Sequence, residues 1–379
     1  MLAVNDSYPG PKKAGPDQER YRLKDPAFYD YALKYCLNCK RCEVACPSGV
    51  NVADMIQRAR LDYGGKSSHP MRDWMLASTD LVGSLASPFA GVVNGVLPAK
   101  PVKAVLDGAF GISKERTFPR YSARKFVNLF HKTEEDKQQQ FNKFVSFFHG
   151  CYANYNHPRL ALDLVKVVNA AGYGVHLLEK ERCCGVALMA NGLQGKALSQ
   201  ARVNVASLEK AVSAGETVLT ASSTCTFTMR DEYREILGLD TSGYRDSLEL
   251  VCKWLYGKIE SGEVKPAFKP VRMKLAYHTA CHMQKLGWQQ YTVELLKMIP
   301  GVELTVLDQN CCGIAGTFGF KKEYYPYSQA IGATLFEDIK KAGPDAVVTE
   351  CETCKWQIEM STGVPVMNPV SVLALSLEG

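Results

Sequence analysis

Cys311-Cys312-Gly313 is the stretch from which the fold of this 379-residue chain can be worked out. Cys281 precedes it by 29 intervening residues, and Cys351 and Cys354 follow after 38. Tetrahedral zinc sites use pairs of cysteines at short spacing, which adjacent cysteines do not provide. Five cysteines from three separated segments are instead typical of an iron–sulfur centre, because iron in such clusters prefers soft thiolate ligands.

The same pattern occurs earlier in the chain with one residue changed. Its cysteines are Cys151, Cys183, Cys184 and Cys225. The stretches TASSTC (220–225) and TECETC (349–354) share the pattern T-x-[S/C]-x-T-C, and equivalent positions lie 128 to 130 residues apart. Ser222 therefore stands where the second copy has Cys351. A hydroxyl is a poorer ligand for iron than a thiolate, so we expect the two copies to hold different clusters.

A third cysteine group lies near the N-terminus. Cys36, Cys39, Cys42 and Cys46, followed by Pro47, have the spacing of bacterial [4Fe–4S] ferredoxins, and the flanking patterns predict a helical ferredoxin-like domain over 1–68. In such runs the last cysteine ligates a different cluster from the first three. Three explanations remain open: another chain supplies the partner run, Cys46 binds the first cluster itself, or the sequence is N-terminally incomplete.

Residues 69–142 form an apolar and basic linker. No charge occurs from Leu81 to Ala99, but glycine, serine and proline interrupt the stretch, which favours an interfacial helical hairpin bent at Pro88 over a membrane-spanning helix. Residues 100–143 then carry ten lysines and arginines against five acids. An apolar face with a positive flank is typical of a segment on an anionic membrane. A docking surface for a partner subunit is an equal alternative.

The two cysteine-rich copies are each predicted to be an α/β domain with a parallel sheet, over 143–270 and 271–379. Five strands are predicted at 144–148, 175–178, 217–221, 273–277 and 303–307, and a sixth at 346–349; helices are predicted at 160–171, 197–212, 292–299 and 328–339. Strands that alternate with helices give a parallel sheet. Each cysteine group follows a strand, and sites form at the carboxyl edge of such sheets. We therefore expect each cysteine set to converge.

Several other residues have more ordinary interpretations. Cys252 falls on an apolar helical face with Leu248 and Leu255, which predicts a core position. His149, His278 and His282 adjoin the cysteines, and hydrogen bonding around the clusters is the favoured interpretation, with proton relay as the alternative. No Walker or dinucleotide motif occurs. The net charge of +6 gives little reason to expect nucleic acid, and grouped cysteines without an export signal predict a cytoplasmic protein.

The two copies resemble the cysteine-rich CCG domain found in the B subunit of heterodisulfide reductase, in which five cysteines hold a non-cubane [4Fe–4S] assembly. Cys281, Cys311, Cys312, Cys351 and Cys354 match that motif, and the first copy departs from it at Ser222. The stretches 8–20, 34–47, 223–230 and 353–360 more closely resemble the family of iron–sulfur C subunits of anaerobic glycerol-3-phosphate dehydrogenases, over essentially the whole chain.

The closer resemblance implies an iron–sulfur electron-transfer subunit without catalytic residues of its own. Its partners would be flavin-containing catalytic subunits and membrane quinone, and its location the cytoplasmic face of the inner membrane. The family also has a ferredoxin run just upstream of the Tyr8-Pro9-Gly10-Pro11 stretch, which agrees with the ligand count at Cys36 to Cys46. The alternatives are a thiol–disulfide reductase like heterodisulfide reductase, or the iron–sulfur subunit of a lactate or glycolate oxidase.

Overall fold

The N-terminal region is a group of short helices around a small apolar core. The computed structural model describes residues 1, 3–25, 27–63 and 67–377. The helices of this region are α1 Pro11–Ala14, α2 Gln18–Lys24, α3 Phe28–Tyr31, α4 Arg41–Val44 and α5 Val52–Tyr63. Phe28, Ala32 and Ile56 pack together at the centre. No strand occurs here within the described residues, as expected for a helical ferredoxin-like region.

The linker folds into helices that lie against the rest of the chain. They are α6 Pro70–Ala77, α7 Thr79–Ala86, α8 Ala90–Val96, α9 Lys100–Phe110, α10 Phe126–Thr133 and α11 Glu135–Gln138. The predicted bend at Pro88 is wrong: α7 and α8 continue into each other, and the chain bends by 72° between α6 and α7. A 3₁₀ turn at Ser87–Phe89 accommodates the proline, which lacks a backbone N–H.

The outward side of α7 and α8 carries exposed apolar residues at helical spacing, namely Leu81, Leu85, Phe89, Val92 and Val96. We call these five residues the apolar stripe. Among the described residues, no single helix combines the length and apolar character needed for a membrane span. The bent pair Pro70–Ala77 and Thr79–Val96 has sufficient length and composition only when its two parts are taken together.

The inward side of the linker is fixed to both cysteine-rich copies. The backbone N–H of Cys183 donates to Asp80 at the start of α7 over 2.6 Å. Gly83 lies so close to Tyr155 that a Cβ there would come within 2.5 Å of the ring. Fully buried Arg116 donates to Gln357 and stacks on the Phe320 ring. These contacts hold α7 and the segment after α9 against the two copies.

The two cysteine-rich copies contain equivalent four-stranded parallel sheets, which confirms the predicted duplicated α/β fold. The strands are β1 Phe144–Phe147, β2 Gly174–Leu177, β3 Val218–Thr220, β4 Leu248–Leu250, β5 Met273–Tyr277, β6 Val302–Val306, β7 Ala346–Val348 and β8 Val366–Met367. The strand orders are β2-β1-β3-β4 and β6-β5-β7-β8. Every predicted strand is present within two residues at each end.

Helices cover these sheets and join the two copies into one core. They are α12 Pro158–Ala170, α13 Val186–Ala190, α14 Gln194–Ser213, α15 Ser223–Phe227, α16 Tyr233–Glu235, α17 Val251–Glu260, α18 Cys281–Leu286, α19 Gln289–Lys297, α20 Tyr325–Ala342, α21 Glu352–Thr362 and α22 Pro369–Ser376. Leu164 and Val168 of α12 belong to the same buried cluster as Val372 and Leu373 of α22. The two copies are therefore packed face to face.

The structure also shows what the sequence patterns did not predict. Strands β4 and β8 were missed for different reasons: β4 runs directly into α17, so that the sequence pattern places its Leu248 on that helix, and β8 has only two residues. Cys252 is buried, as predicted, on α17 with Val251 and Leu255. Leu248, however, lies in β4 and not on that helix.

Candidate metal centre

The five cysteines of the second copy converge at the carboxyl edge of its sheet. Cys281 begins α18, Cys311 and Cys312 follow β6, and Cys351 and Cys354 lie at the start of α21. The Sγ atoms of Cys281 and Cys311 are 3.7 Å apart, and those of Cys312 and Cys354 are 3.3 Å apart. All five thiols are free of disulfides.

The backbone conformation and the close packing at position 313 explain why a glycine follows the cysteine pair. Its φ is +85°, in the left-handed region, and a Cβ there would lie 2.0 Å from the carbonyl oxygen of Ser328. The close approach lets the Gly313 N–H donate to Cys311 Sγ over 3.4 Å. The loop thus carries its backbone beside the thiols.

The four cysteines of the first copy meet in the same succession. The thiol of Cys183 contacts those of Cys151 and Cys184, and Cys184 in turn contacts Cys225. Ser222 is the N-cap of α15: its Oγ accepts from the Cys225 N–H over 3.3 Å and donates to Glu352 of the second copy over 2.9 Å. Cys351, the N-cap of α21, makes no such capping bond.

The two cysteine sets face each other across the boundary between the copies. The Ser223 N–H donates to the Glu350 carbonyl over 3.0 Å, and Thr224 Oγ1 lies 3.6 Å from Cys351 Sγ. The Asn368 amide donates to the Ala221 carbonyl over 2.9 Å. The T-x-[S/C]-x-T-C stretches that revealed the duplication therefore form the junction itself.

The N-terminal cysteines divide into three and one. Cys36, Cys39 and Cys42 lie near one another, and the Cys39 thiol also contacts that of Cys281 in the second copy. Cys46 lies apart, with the backbone N–H groups of Ser48, Gly49 and Val50 directed at its sulfur. This separation agrees with the expectation that Cys46 serves a different cluster.

A buried lysine, which the sequence patterns did not single out, joins the N-terminal run to the first copy. Lys40 is fully buried and holds a positive φ of 58°. Its Nζ pairs with Asp54, and lies 3.8 Å from carboxylate oxygens of Glu43 and Glu232. Burial alone would lower the pKa of Lys40, but these three carboxylates raise it. Lys285 of α18 pairs with Glu43 over 2.9 Å.

Buried carboxyl groups flank Cys351 on both sides. The Glu350 carboxyl accepts from Thr292 over 2.6 Å and from the Tyr277 hydroxyl over 3.0 Å, and burial raises its pKa to about 7. Burial likewise raises the pKa of Glu352 to about 8. Both groups therefore add less negative charge beside the thiols than exposed glutamates would.

The three histidines have different surroundings. The His278 imidazole lies within 4.8 Å of the Cys312 and Cys354 sulfurs, and burial lowers its pKa to about 4. His149 pairs with Glu181 over 3.0 Å, and the His282 ring stacks on Phe227. His149 thus makes a hydrogen bond as predicted, whereas among the described residues neither ring nitrogen of His278 has a hydrogen-bond partner, so the prediction is wrong for His278.

The donor sets fit iron–sulfur clusters. In each copy, free thiols from separate segments approach one another without forming disulfides, and in the N-terminal region they come from one short run. Soft sulfur donors in a buried site suit iron in such clusters, and the absence of short-spaced cysteine pairs in the first copy does not suit tetrahedral zinc. The residues that would hold iron are Cys36, Cys39 and Cys42, then Cys151, Cys183, Cys184 and Cys225, then Cys281, Cys311, Cys312, Cys351 and Cys354.

Comparison with known proteins supports both levels of the resemblance. The sequence profile of the CCG family, described as a cysteine-rich domain, matches residues 145–230 and 275–359. The C subunit of anaerobic glycerol-3-phosphate dehydrogenase from Escherichia coli (strain K12) is 56% identical over 376 residues, which cover 99% of this chain and 94% of that protein.

Two more distant relatives belong to other oxidoreductases. The glycolate oxidase iron-sulfur subunit of Escherichia coli (strain K12) is 25% identical, over 91% of this chain and 82% of its own length. The B subunit of fumarate reductase (CoM/CoB) from Methanothermobacter marburgensis is 26% identical, over 61% of this chain and 46% of its own length. The cysteine-rich architecture is thus shared widely, while the similarity over nearly the full length at 56% identity is much more specific.

Proposed function

The chain belongs to the family of iron–sulfur C subunits of anaerobic glycerol-3-phosphate dehydrogenase, and from this premise we propose that it carries electrons from flavin-containing catalytic subunits to membrane quinone. The observation that supports this most directly is the continuity of the thiol groups. Cys39 of the N-terminal region contacts Cys281 of the second copy, and Cys351 of the second copy adjoins Thr224 of the first. Three donor sets from three regions therefore adjoin one another.

Iron–sulfur clusters held by these thiols would supply one-electron redox chemistry. The chain's own contribution is to bury the donors and direct hydrogen bonds at them, as the Gly313 N–H does at Cys311, because burial and hydrogen bonding set cluster potentials. We propose a cubane [4Fe–4S] cluster at Cys36, Cys39 and Cys42, completed by a further ligand. The second copy would hold a non-cubane cluster, and the first copy a different one because of Ser222.

Substrate oxidation is assigned to the partner subunits. A sequence without a dinucleotide or Walker fingerprint gives this chain no recognisable means of binding a flavin. The cluster-bearing role thus requires a flavoprotein donor that oxidises glycerol 3-phosphate. Lactate and glycolate oxidation are less well supported, because the similarity to a glycolate oxidase subunit is 25% against 56% for the glycerol-3-phosphate dehydrogenase subunit.

Reconstitution tests this assignment. Flavoprotein catalytic subunits of anaerobic glycerol-3-phosphate dehydrogenase would be purified and combined with this chain or kept without it, and glycerol-3-phosphate-dependent reduction of a menaquinone analogue would be measured anaerobically. We expect the catalytic subunits alone to reduce a soluble artificial acceptor, and quinone reduction to require the iron–sulfur-loaded chain. Equal quinone reduction without the chain would contradict the proposal. Reduction driven by lactate or glycolate, and not by glycerol 3-phosphate, would move the chain to the alternative family.

We further propose that the protein lies on the cytoplasmic face of the inner membrane, with the apolar stripe in the interface. Phe89 and Val92 are each 67% exposed, and basic residues of 100–143 follow in the chain. Apolar contact and attraction to anionic lipid add together in such segments. Both contributions can be tested separately.

Vesicle co-sedimentation provides that test. Phe89→Glu should release the protein from vesicles containing anionic lipid, and raising the salt concentration should weaken binding of the unaltered protein, because salt screens charge attraction. Val306→Glu is the matched control, since Val306 is also exposed but lies on β6 away from the stripe. If Phe89→Glu binds as well as Val306→Glu, the stripe is instead a surface for a partner subunit.

A further inference from the structure

The segment that follows α9 places an arginine inside the second copy. Its backbone is fixed there, because the Ser113 N–H donates to the Phe320 carbonyl over 2.9 Å and the Arg116 N–H donates to the Ser113 carbonyl over 3.1 Å. The Arg116 side chain is fully buried, and its guanidinium lies 4.6 Å from the centre of the Phe320 ring. Arginine is almost never fully buried unless its charge is paired. The buried charge of Arg116 therefore requires an anionic partner.

Carboxylates do not supply that partner within the described residues. Nη1 of Arg116 donates to the Gln357 side chain, while Nε and Nη2 have no hydrogen-bond partner in this part of the chain. Burial lowers the pKa of Arg116 to about 10, which leaves it protonated at neutral pH. The ionisable groups that act on it are the Tyr325 hydroxyl and the Cys312 thiol. A tyrosine is uncharged at neutral pH, so the available anion belongs to the thiol set of the second copy.

Gln357 connects the guanidinium to the helix that carries two of the thiols. It lies on α21, one helical turn after Cys354, where the two side chains are neighbours on the helix surface. Its amide also donates to Ser328 Oγ over 3.4 Å, and the carbonyl of Ser328 is the group against which Gly313 packs. Arg116 is thereby held beside both the start of α21 and the loop that contains the cysteine pair.

We propose that Arg116 is the counter-ion of the metal centre in the second copy and raises its reduction potential. The proposal rests on the proposed function, which assigns an iron–sulfur cluster to this thiol set. One-electron reduction by the flavin-containing subunits adds one negative charge at the site, and Arg116 neither forms nor breaks a covalent bond. A fixed positive charge in a buried site favours that added electron, because attraction between charges is strong where water is excluded. Arginine suits this role because it does not lose its proton.

The first copy has the opposite arrangement. The linker residue that contacts its thiol set is Asp80, whose carboxyl accepts from the Cys183 N–H over 2.6 Å. The cysteine on which Arg116 acts, Cys312, belongs to the second copy. We therefore expect a change at Arg116 to shift the potential of the second copy's centre and to leave that of the first copy's centre unchanged, which provides a control within the same molecule.

Redox titration of the anaerobically purified, iron–sulfur-loaded protein, followed by EPR, tests the proposal. The signal of the second copy is the one that Cys351→Ser removes. Arg116→Met replaces the charge with an apolar side chain. At the midpoint potential of the unaltered protein, the ratio of reduced to oxidised centre should fall about ten-fold, equivalent to about 59 mV for one electron. Arg116→Lys should restore most of the potential because it restores the charge, and a purely structural role predicts no such rescue.

Arg72→Met is the matched control. Arg72 is also buried and also lies in the linker, but it pairs with Asp73 and Glu323, each over 2.9 Å. Its substitution should lower stability, because two carboxylates lose their partner, and should leave the midpoint potential unchanged. An unchanged midpoint in Arg116→Met with intact iron content overturns the proposal, and so does an equal shift in Arg72→Met.

Arg116→Gln keeps the proposal testable if Arg116→Met does not retain iron, because glutamine can still hydrogen-bond to Gln357. Iron loss that is confined to the second copy in both uncharged variants, and prevented in Arg116→Lys, supports the counter-ion role. Iron loss that also affects Arg116→Lys or Arg72→Met overturns it.

The unaltered protein separates this proposal from the proposed function. If it shows the signal of the second copy but does not support quinone reduction, the proposed function fails, and the comparison of the Arg116 variants still decides the counter-ion role. If its second copy holds no cluster, both proposals are overturned.

Discussion

The first and second cysteine-rich copies share a scaffold and differ at a ligand. Both have four parallel strands in the same order, and in both the thiols contact one another in the same succession. At the position equivalent to Cys351, however, Ser222 uses its hydroxyl to cap α15 and to bind Glu352. The difference shows that the fold of this domain does not depend on the fifth thiol, since a serine at the same N-cap supports the same architecture.

The place of Ser222 and Cys351 in the fold adds a second difference between the two copies. Ser222 and Cys351 lie at the junction of the two copies, where Ser223 hydrogen-bonds to Glu350 and Thr224 lies beside Cys351. In the first copy this position contributes a contact between the copies, and in the second it contributes a thiol.

The largest effect is expected from Cys351→Ser, which makes the second copy resemble the first. Loss of one of five thiolates should remove the second copy's EPR signal and abolish quinone reduction, because a hydroxyl replaces a thiolate poorly on iron. Anaerobic iron and sulfide quantitation with EPR provides the measurement. Full electron transfer to quinone in this variant would contradict the assignment of the second set.

Cys252→Ser is the matched control for that experiment. Cys252 is as buried as the set cysteines but lies on α17 in the core, outside both sets. Its substitution should lower stability through a buried hydroxyl and leave iron content and EPR signals intact. Loss of iron from both variants would show that general destabilisation, and not ligand loss, explains the Cys351→Ser result.

Lys40→Met tests whether the first copy holds the N-terminal region more strongly than the second copy does. The substitution leaves Glu43, Asp54 and Glu232 without their shared buried cation, and breaking such a group typically destabilises by about 3–5 kcal/mol. Lys285→Met should have a smaller effect, since Lys285 is partly exposed and Glu43 keeps Lys40. Thermal unfolding under anaerobic conditions compares the two. Equal losses would mean that the second copy anchors the region as strongly as the Lys40 cluster does.

Gly313→Ala and Gly185→Ala compare equivalent glycines that have nearly the same φ, +85° and +84°. Both variants incur backbone strain of about 1–3 kcal/mol. At Gly313 the new Cβ would also meet Ser328 at 2.0 Å, whereas at Gly185 the nearest atoms are 3.7 Å away. We expect Gly313→Ala to be less stable than Gly185→Ala by about 1–3 kcal/mol, the cost that is typical of overpacked sites. Identical unfolding midpoints would show that the Ser328 backbone yields without cost.

The sequence was sufficient to predict what depends on local pattern. Apolar runs and helical spacing placed the longer strands, such as β5 and β1, and repeated cysteine spacing revealed the duplication. Prediction failed where packing between distant parts of the chain determines the structure. The meeting of Cys39 with Cys281 brings together residues far apart in the chain, and nothing local indicates it. The bend at Ser78 in place of Pro88 likewise follows from the anchoring of Asp80 and Gly83 to the first copy.

The smallest effect is expected from Ser222→Ala, which tests whether the first copy uses that oxygen for iron. The variant loses the N-cap bond to Cys225 and the bond to Glu352, which should lower stability by about 1 kcal/mol. Iron content and the EPR signal of the first copy should not change, because the hydroxyl is engaged in capping α15. Ser223→Ala is the control, since it removes a neighbouring hydroxyl that donates to the Glu350 carbonyl. Selective loss of iron in Ser222→Ala would instead make Ser222 a ligand, and the two copies would then differ in the type of donor and not in the number of donors.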